Sequence, residues 1–364
     1  MMSNPQLYHT WRRQLHQLTP DRCESRLQNM LWLIVGMFLA ESVHLTKIAR
    51  KLPLRVHKLS LDKRLRRFLS NHAVRPREWY HPVATLLILA ASSGGQVHLL
   101  IDSSKVSAGH RLLMVGIAYR RRALPLAWTW VRCPKGHSTT RKQIALLRYV
   151  QTLLPPGVRV SLVGDCEFGR PLLVEYLDWW GWDYALRQPG NHLVMTKGDP
   201  HWRRIDSFDL QPGTTVWLGH VILTRESAYP TNLVLLWAKG EKEPWYLASN
   251  LPDPRPILRL YRRRMWLEEM FGDMKSNGFD LERSRLRHVL RLSRLTLAVC
   301  LLYVWLVATG EHVWAKQLFA EVDRSDRRDL SIFRLGWDFI ERRLALQDPF
   351  PDVFIPNFCS VSGS

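Results

Sequence analysis

Apolar positions recur at helical spacing through the first 95 residues, then change to alternating or continuous apolar runs of strand length, and this change of period divides the chain. Leu27 to Leu39 reads as one apolar helix, followed by two short helical units, Leu45 to Leu52 and Leu61 to Leu69. In the latter, Ser60 stands as a cap, and Lys63, Arg64, Arg66 and Arg67 flank the apolar face. Gln96 to Asp102 then predicts a strand, Arg111 to Tyr119 and Leu124 to Val131 a hairpin, and Val158 to Gly164 and Trp182 to Arg187 two further strands. Ser138 is expected to cap a helix that runs to about Leu154, and a second helix is expected from Pro171 to Trp180. The order predicts an α/β fold, a mixed sheet covered by helices. Short β runs (Thr215 to Thr224, Asn232 to Ala238, Trp245 to Ser249) form a β-rich insertion over 190–250, before a helix that opens at Asp253-Pro254 and runs to about Ser276. The expected domains are a helical one over 1–95, an α/β one over 96–320, and a helical tail over 321–364. The tail's amphipathic stretch, Ile332 to Ile340, suits either dimerisation or packing on the chain's own core.

With 46% hydrophobic and 23% charged residues, disordered, collagen-like and coiled-coil classes are excluded. Five scattered cysteines (Cys23, Cys133, Cys166, Cys300, Cys359) form no Cys-x-x-Cys pair, which suits a reducing compartment and no zinc site. The polar stretch Met1 to His16 has no secretory-signal pattern. The uncharged runs Leu27 to Ala40 and Leu295 to Gly310 fall short of the roughly 20 residues that span a bilayer, so both are expected as buried helices.

Charge changes the picture most. The net of +20, with a pI near 10.2, calls for a polyanion: nucleic acid or an anionic membrane surface. Residues 1–95, 96–187, 188–254, 255–320 and 321–364 carry nets of +10, +7, −1, +6 and −2, so the surplus is local. Short basic helices around Pro53 are compatible with a helix-turn-helix DNA reader, or with a solvated basic face of a plain bundle.

In so basic a chain, carboxylates at strand ends are informative, because burying them uncompensated is costly. Asp102 and Asp165 each follow an apolar strand. Tyr261, Arg264, Glu268 and Lys275 fall within roughly 60° of arc on one helix face. The acceptor-only oxygens of Asp102, Asp165 and Glu268 suit two divalent cations of the Mg2+ type working in phosphoryl transfer.

These residues resemble the bacterial DDE transposases of the insertion-sequence-four family, whose signature Tyr-x2-Arg-x3-Glu-x6-Lys is satisfied by Tyr261, Arg264, Glu268 and Lys275. Leu100-Ile101-Asp102-Ser103-Ser104 resembles the segment around the family's first catalytic Asp, and Val163-Gly164-Asp165-Cys166-Glu167-Phe168-Gly169 the second, with Cys166 where many relatives carry Arg. The likeness spans about 95–310. It implies an RNase H-like catalytic domain, with Asp102, Asp165 and Glu268 as catalytic, metal-binding residues for Mg2+, or Mn2+ in its place. It further implies that Tyr261, Arg264 and Lys275 contact the transposon end, and that Trp245 stacks on a flipped base; a core role for Trp245 stays open. The implied function is cut-and-paste transposition on double-stranded DNA, at terminal inverted repeats and target, by a homodimer in the bacterial cytoplasm at the nucleoid, with no membrane partner. Terminal-repeat recognition falls to the first 95 residues, with Lys63, Arg64, Arg66 and Arg67 as candidate DNA contacts. The alternative is a catalytically silent DNA-binding protein derived from a transposase. A membrane-associated basic protein is a third reading.

Overall fold

The computed structural model describes residues 5–19, 22–107, 109–132, 136–324 and 329–359; Cys133 and the two chain ends lie outside them. Five helices come first: α1 (Pro5–Leu18), α2 (Glu24–Ala40), α3 (Leu45–Lys51), α4 (Lys58–Ser70) and α5 (Pro76–Ser92). Two of these, α1 and α5, are not anticipated from the sequence, where α5 is interrupted by Pro82. Ser60 does not cap α4, which starts two residues earlier behind His57.

The sheet comes next, with β1 (Gln96–Ser107), β2 (His110–Tyr119) and β3 (Arg122–Arg132), then α6 (Thr140–Gln151), β4 (Arg159–Gly164), α7 (Pro171–Trp179) and β5 (Asp183–Arg187). β1, β4 and β5 are parallel neighbours, and β2 and β3 run antiparallel beyond β1. The segment expected as an insertion supplies β6 (Leu193–Thr196), β7 (Asp199–Arg204), β8 (Thr215–Leu223), β9 (Tyr229–Leu236) and β10 (Trp245–Ser249). β10 pairs antiparallel with β5, so one ten-stranded sheet results, in the order β3-β2-β1-β4-β5-β10-β9-β8-β6-β7. The added strands keep a small core of their own around Val194, Ile205, Val221, Leu223 and Leu235.

After β10 come α8 (Pro254–Tyr261), α9 (Met265–Met274), α10 (Val289–Ala315) and α11 (Ile332–Leu346). Asp253 caps α8 by accepting from the Arg255 amide at 2.7 Å, as its place before proline suggests. The helix expected to run on to Ser276 is broken by a 3-10 turn over Arg262–Arg264. Three residues at about 120° instead of 100° rotate the face of α8 by roughly 60° relative to that of α9.

α10 has no solvent-facing stripe: every residue from Arg294 to Glu311 is buried. It is the one described helix apolar and long enough by composition to cross a membrane, yet its most apolar window is 94% buried within the protein. The two uncharged runs therefore sit as the pattern predicts, inside α2 and α10. The N-terminal helices, the sheet and α11 share one core around α10. Arg294, buried on α10, donates to the carbonyls of Leu69 at 2.9 Å and Val74 at 2.8 Å, satisfying one carbonyl in the last turn of α4 and that of the buried Val74 after it. Residues 348–358 strap back over the molecule: Arg13 pairs with Asp352 at 3.0 Å, and Tyr119 donates to the Asn357 carbonyl at 3.0 Å.

α11 crosses α10 at two glycines. A Cβ on Gly310 would lie 1.9 Å from the Ile332 carbonyl oxygen, and one on Gly336 1.9 Å from that of Leu306. Backbone cannot give way as a side chain can. Gly336→Ala is therefore expected to destabilise the protein by about 3 kcal/mol or more, seen as a lower urea midpoint; an unchanged midpoint would refute the close crossing.

Candidate active site

Three elements bring the sequence-predicted acids together. Asp102 does not end its strand, as expected, but lies within β1, which runs on to Ser107 because β2 continues to pair with it. The parallel ladder with β4 stops at Ile101 and Gly164, so Asp102 and Asp165 stand side by side where β4 leaves β1. Glu268 comes from α9, which packs over β1, β2 and β3. That helix is fixed by Asp273, buried between Arg122, whose Nε donates at 2.7 Å, and Tyr303, whose hydroxyl donates at 3.3 Å.

The acids feel one another. Burial raises the Asp102 carboxyl from its ordinary 3.8 to about 7; the Ser103 amide and Arg264 oppose this, and the charges of Asp165 and Glu268 add to it. The Ser103 N–H donates to Asp102 Oδ1 at 2.6 Å. Asp165 Oδ1 is buried with no hydrogen-bond partner among the described residues. Arg264 stands among the acids: its Nη1 donates to Glu268 Oε1 and lies 3.9 Å from Asp165 Oδ2. Among the described residues no three His, Cys, Asp or Glu side chains converge closely enough to share one ion.

Tyr261 is buried, with its ring edge-on to Trp245 at 5.2 Å and its hydroxyl lacking a partner among the described residues. Trp245 is half-buried against the main core. Lys275 comes directly after the last residue of α9 and pairs with Glu282 at 3.0 Å. On α4, far from the acids in sequence, Arg64 donates to Asn29 at 2.6 Å and Arg66 to Asp62 at 2.6 Å, while Lys63 and Arg67 are exposed. Burial, then the neighbouring Asp165, pushes the Cys166 thiol up to about 11, so a neutral thiol stands where relatives are expected to carry arginine.

Two residues escape the sequence pattern. Arg187 ends β5 as Asp165 follows β4, and its Nη1 lies 3.9 Å from Asp165 Oδ1 while Nη2 donates to Glu243 at 2.6 Å. Its signal is the parallel register, which pairs Gly164 with Leu186 and so sets the next residues side by side. Glu167 lies inside the motif around Asp165 and is almost wholly buried, with a side-chain exposure of 7%.

Residues 93–305 match the family described as "Transposase DDE domain", a segment that contains all three acids. Among solved structures, a piggyBac transposase synaptic complex with hairpin DNA is similar at 10% identity and a TM-score of 0.43, over 100% of this chain and 85% of that one. Comparison with curated proteins gives no match.

An acid whose pKa is raised by folding holds its proton more tightly folded than unfolded, so stability is lost as pH rises from about 4 through about 7. Asp102→Asn, which mimics the protonated carboxyl, is expected to raise the melting temperature of the metal-free protein most at pH 8. The gain should shrink toward pH 4; a gain that does not vary with pH would refute the raised value.

Proposed function

Because the chain belongs to the transposase DDE domain family, a family of DNA-cleaving transposases, we propose that it is a cut-and-paste strand transferase of the insertion-sequence-four type. In this reading it acts in the bacterial cytoplasm, at the nucleoid, on double-stranded terminal inverted repeats and target DNA, as a homodimer in the synaptic complex. The observation that carries it is the placement of Asp102 and Asp165 side by side where the β1–β4 ladder ends, with Glu268 linked to Asp165 through Arg264, in a chain of net charge +20. The order β3-β2-β1-β4-β5, with β2 reversed, supports the RNase H-like reading of the catalytic domain, to which β6–β10 attach as an extension.

The donor set fits divalent cations. All three acids offer only oxygen, a buried Asp165 oxygen has no hydrogen-bond partner among the described residues, and the sulfur of Cys166 is a soft donor ill-matched to such hard cations. Bound there, Mg2+, or Mn2+ in its place, supplies charge stabilisation to the attacking and leaving oxygens of the phosphodiester. Asp102 and Asp165 would hold the cations from the sheet and Glu268 from the helix. Arg264 has a second partner to choose: a DNA phosphate can accept its guanidinium in place of Glu268, freeing that carboxylate. Tyr261, with its unpaired hydroxyl, and Lys275 would contact the backbone of the transposon end. Trp245, already against Tyr261, offers a stacking face for an extruded base. Lys63 and Arg67 are the better placed of the four α4 candidates to meet phosphates, since Arg64 and Arg66 are engaged within the protein.

Two observations favour the second reading, a silent DNA-binding derivative: Arg264 already pairs with Glu268, and no three His, Cys, Asp or Glu side chains form one ion site among the described residues. One experiment separates the two readings. Linear DNA ending in the flanking inverted repeats is incubated with the protein in Mg2+ or EDTA, wild type beside Glu268→Gln. Metal-dependent cleavage by wild type, reduced to background in the variant, is expected, together with binding in EDTA that weakens steeply as salt rises. Cleavage by Glu268→Gln at the wild-type rate would sink the catalytic assignment; salt-sensitive binding without cleavage by wild type would establish the silent reading.

A further inference from the structure

Glu167 is a buried carboxylate one step from both aspartates, and the proposed chemistry does not use it. Its Oε2 accepts from the Ser103 hydroxyl at 2.5 Å. Its Oε1 accepts from the Ser138 amide at 2.7 Å and the Ser138 hydroxyl at 2.5 Å. Arg111 lies 3.9 Å and His137 3.8 Å from Oε2. Ser138 is expected from its place to cap α6; instead Thr139 occupies that position, and the serine is given to Glu167.

The directions of these bonds explain why the residue is an acid. The Ser103 oxygen accepts from Arg111 Nε at 3.0 Å, so its own proton is left for Glu167. The Ser138 oxygen likewise accepts from Gln143 Nε2 at 3.0 Å and spends its proton on Glu167. Both sides of the site therefore present donors, and a carboxylate, with acceptors at both oxygens, satisfies all of them at once. A glutamine of the same shape must turn an NH2 toward one side, which leaves the serine proton there without its acceptor in a buried place.

Ser103 is also the residue whose amide holds Asp102 Oδ1, and Arg111 Nη2 fixes its carbonyl at 2.7 Å. Glu167 thus reaches Asp102 through one residue, and Asp165 through two bonds of sequence within the turn after β4. We infer that Glu167 is a positioning residue: by anchoring Ser103 it sets the orientation of the Asp102 carboxylate for divalent-cation binding, while its other oxygen ties down the approach to α6 at Ser138. This rests on the metal-dependent reading proposed above. Partners of this kind, which orient a ligand without touching the ion, typically change metal affinity roughly 10–100-fold when removed.

The test is Mn2+ binding to the DNA-free full chain, monitored by the loss of the free-ion paramagnetic resonance signal. It is read beside melting temperature and repeat-DNA affinity in EDTA, for wild type, Glu167→Gln, Ser103→Ala and Ser138→Ala. Glu167→Gln and Ser103→Ala are expected to weaken Mn2+ binding about tenfold or more with DNA affinity in EDTA unchanged, and Ser138→Ala to leave Mn2+ binding near wild type. Should Glu167→Gln not fold, Ser103→Ala carries the same expectation. Wild-type Mn2+ binding in both Glu167→Gln and Ser103→Ala would overturn the inference alone, as would a loss in Ser138→Ala equal to that in Ser103→Ala, which marks a merely structural knot. No Mn2+ binding by wild type would overturn the metal-dependent reading and this inference with it.

Discussion

The molecule is organised by the need to bury α10 on all sides. A helix whose side chains are apolar around its whole circumference has no face to give to water, so other elements must enclose it. Here α2, α4 and α5 cover it from one direction, β3 from another and α11 from a third. Each fully buried Leu, Val or Ile along it contributes roughly 1.5–3 kcal/mol, so the cost of uncovering any one side is large. Close approach by α11 is possible because Gly310 and Gly336 carry no Cβ where the backbones meet. The same enclosure accounts for the shared core: the N-terminal helices do not close around a centre of their own but around a helix that comes after the sheet.

That enclosure also fixes the acids. α9 is anchored to β3 and α10 through Asp273, so Glu268 is delivered over the strand ends by a buried ion pair and not by a loop. Asp102 and Asp165 owe their proximity to the parallel register of β1 and β4. Three carboxylates so placed repel, and the protein responds in two ways: Asp102 is pushed toward its protonated form by burial and by its acidic neighbours, and Arg264 enters beside Glu268 and Asp165. A cation is therefore already part of the arrangement, supplied by the chain.

Much of this is legible in the sequence because it depends on local pattern. The apolar runs mark α2, α10 and strands β1, β4 and β5, and the acids at the ends of two of those runs, Asp102 and Asp165, are visible as candidates before any geometry. The features that the pattern misses are decided by tertiary contact. Thr215–Leu223 and Tyr229–Leu236 read as a separate module, since nothing local says that β10 pairs with β5 and joins the strands into one sheet. A continuous helix through Tyr261 and Lys275 comes from spacing alone; the 3-10 turn at Arg262–Arg264 and the ion pair of Lys275 with Glu282 lie beyond what spacing encodes. Ser138 carries a cap's residue type in a cap's place, and loses that role to a buried carboxylate 29 residues away.

The charge has a mechanical side as well. The N-terminal segment carries the largest surplus, +10, and its α4 is held to α10 by Arg294, whose guanidinium takes the carbonyls of Leu69, in the last turn of α4, and of Val74. A buried arginine with two backbone acceptors is costly to pull free, because the charge would be left without partners in a low-dielectric place. If α4 reads a DNA end and the acids cut it, the two cannot swing independently as beads on a linker would. The span between recognition and cleavage is then a property of the folded core.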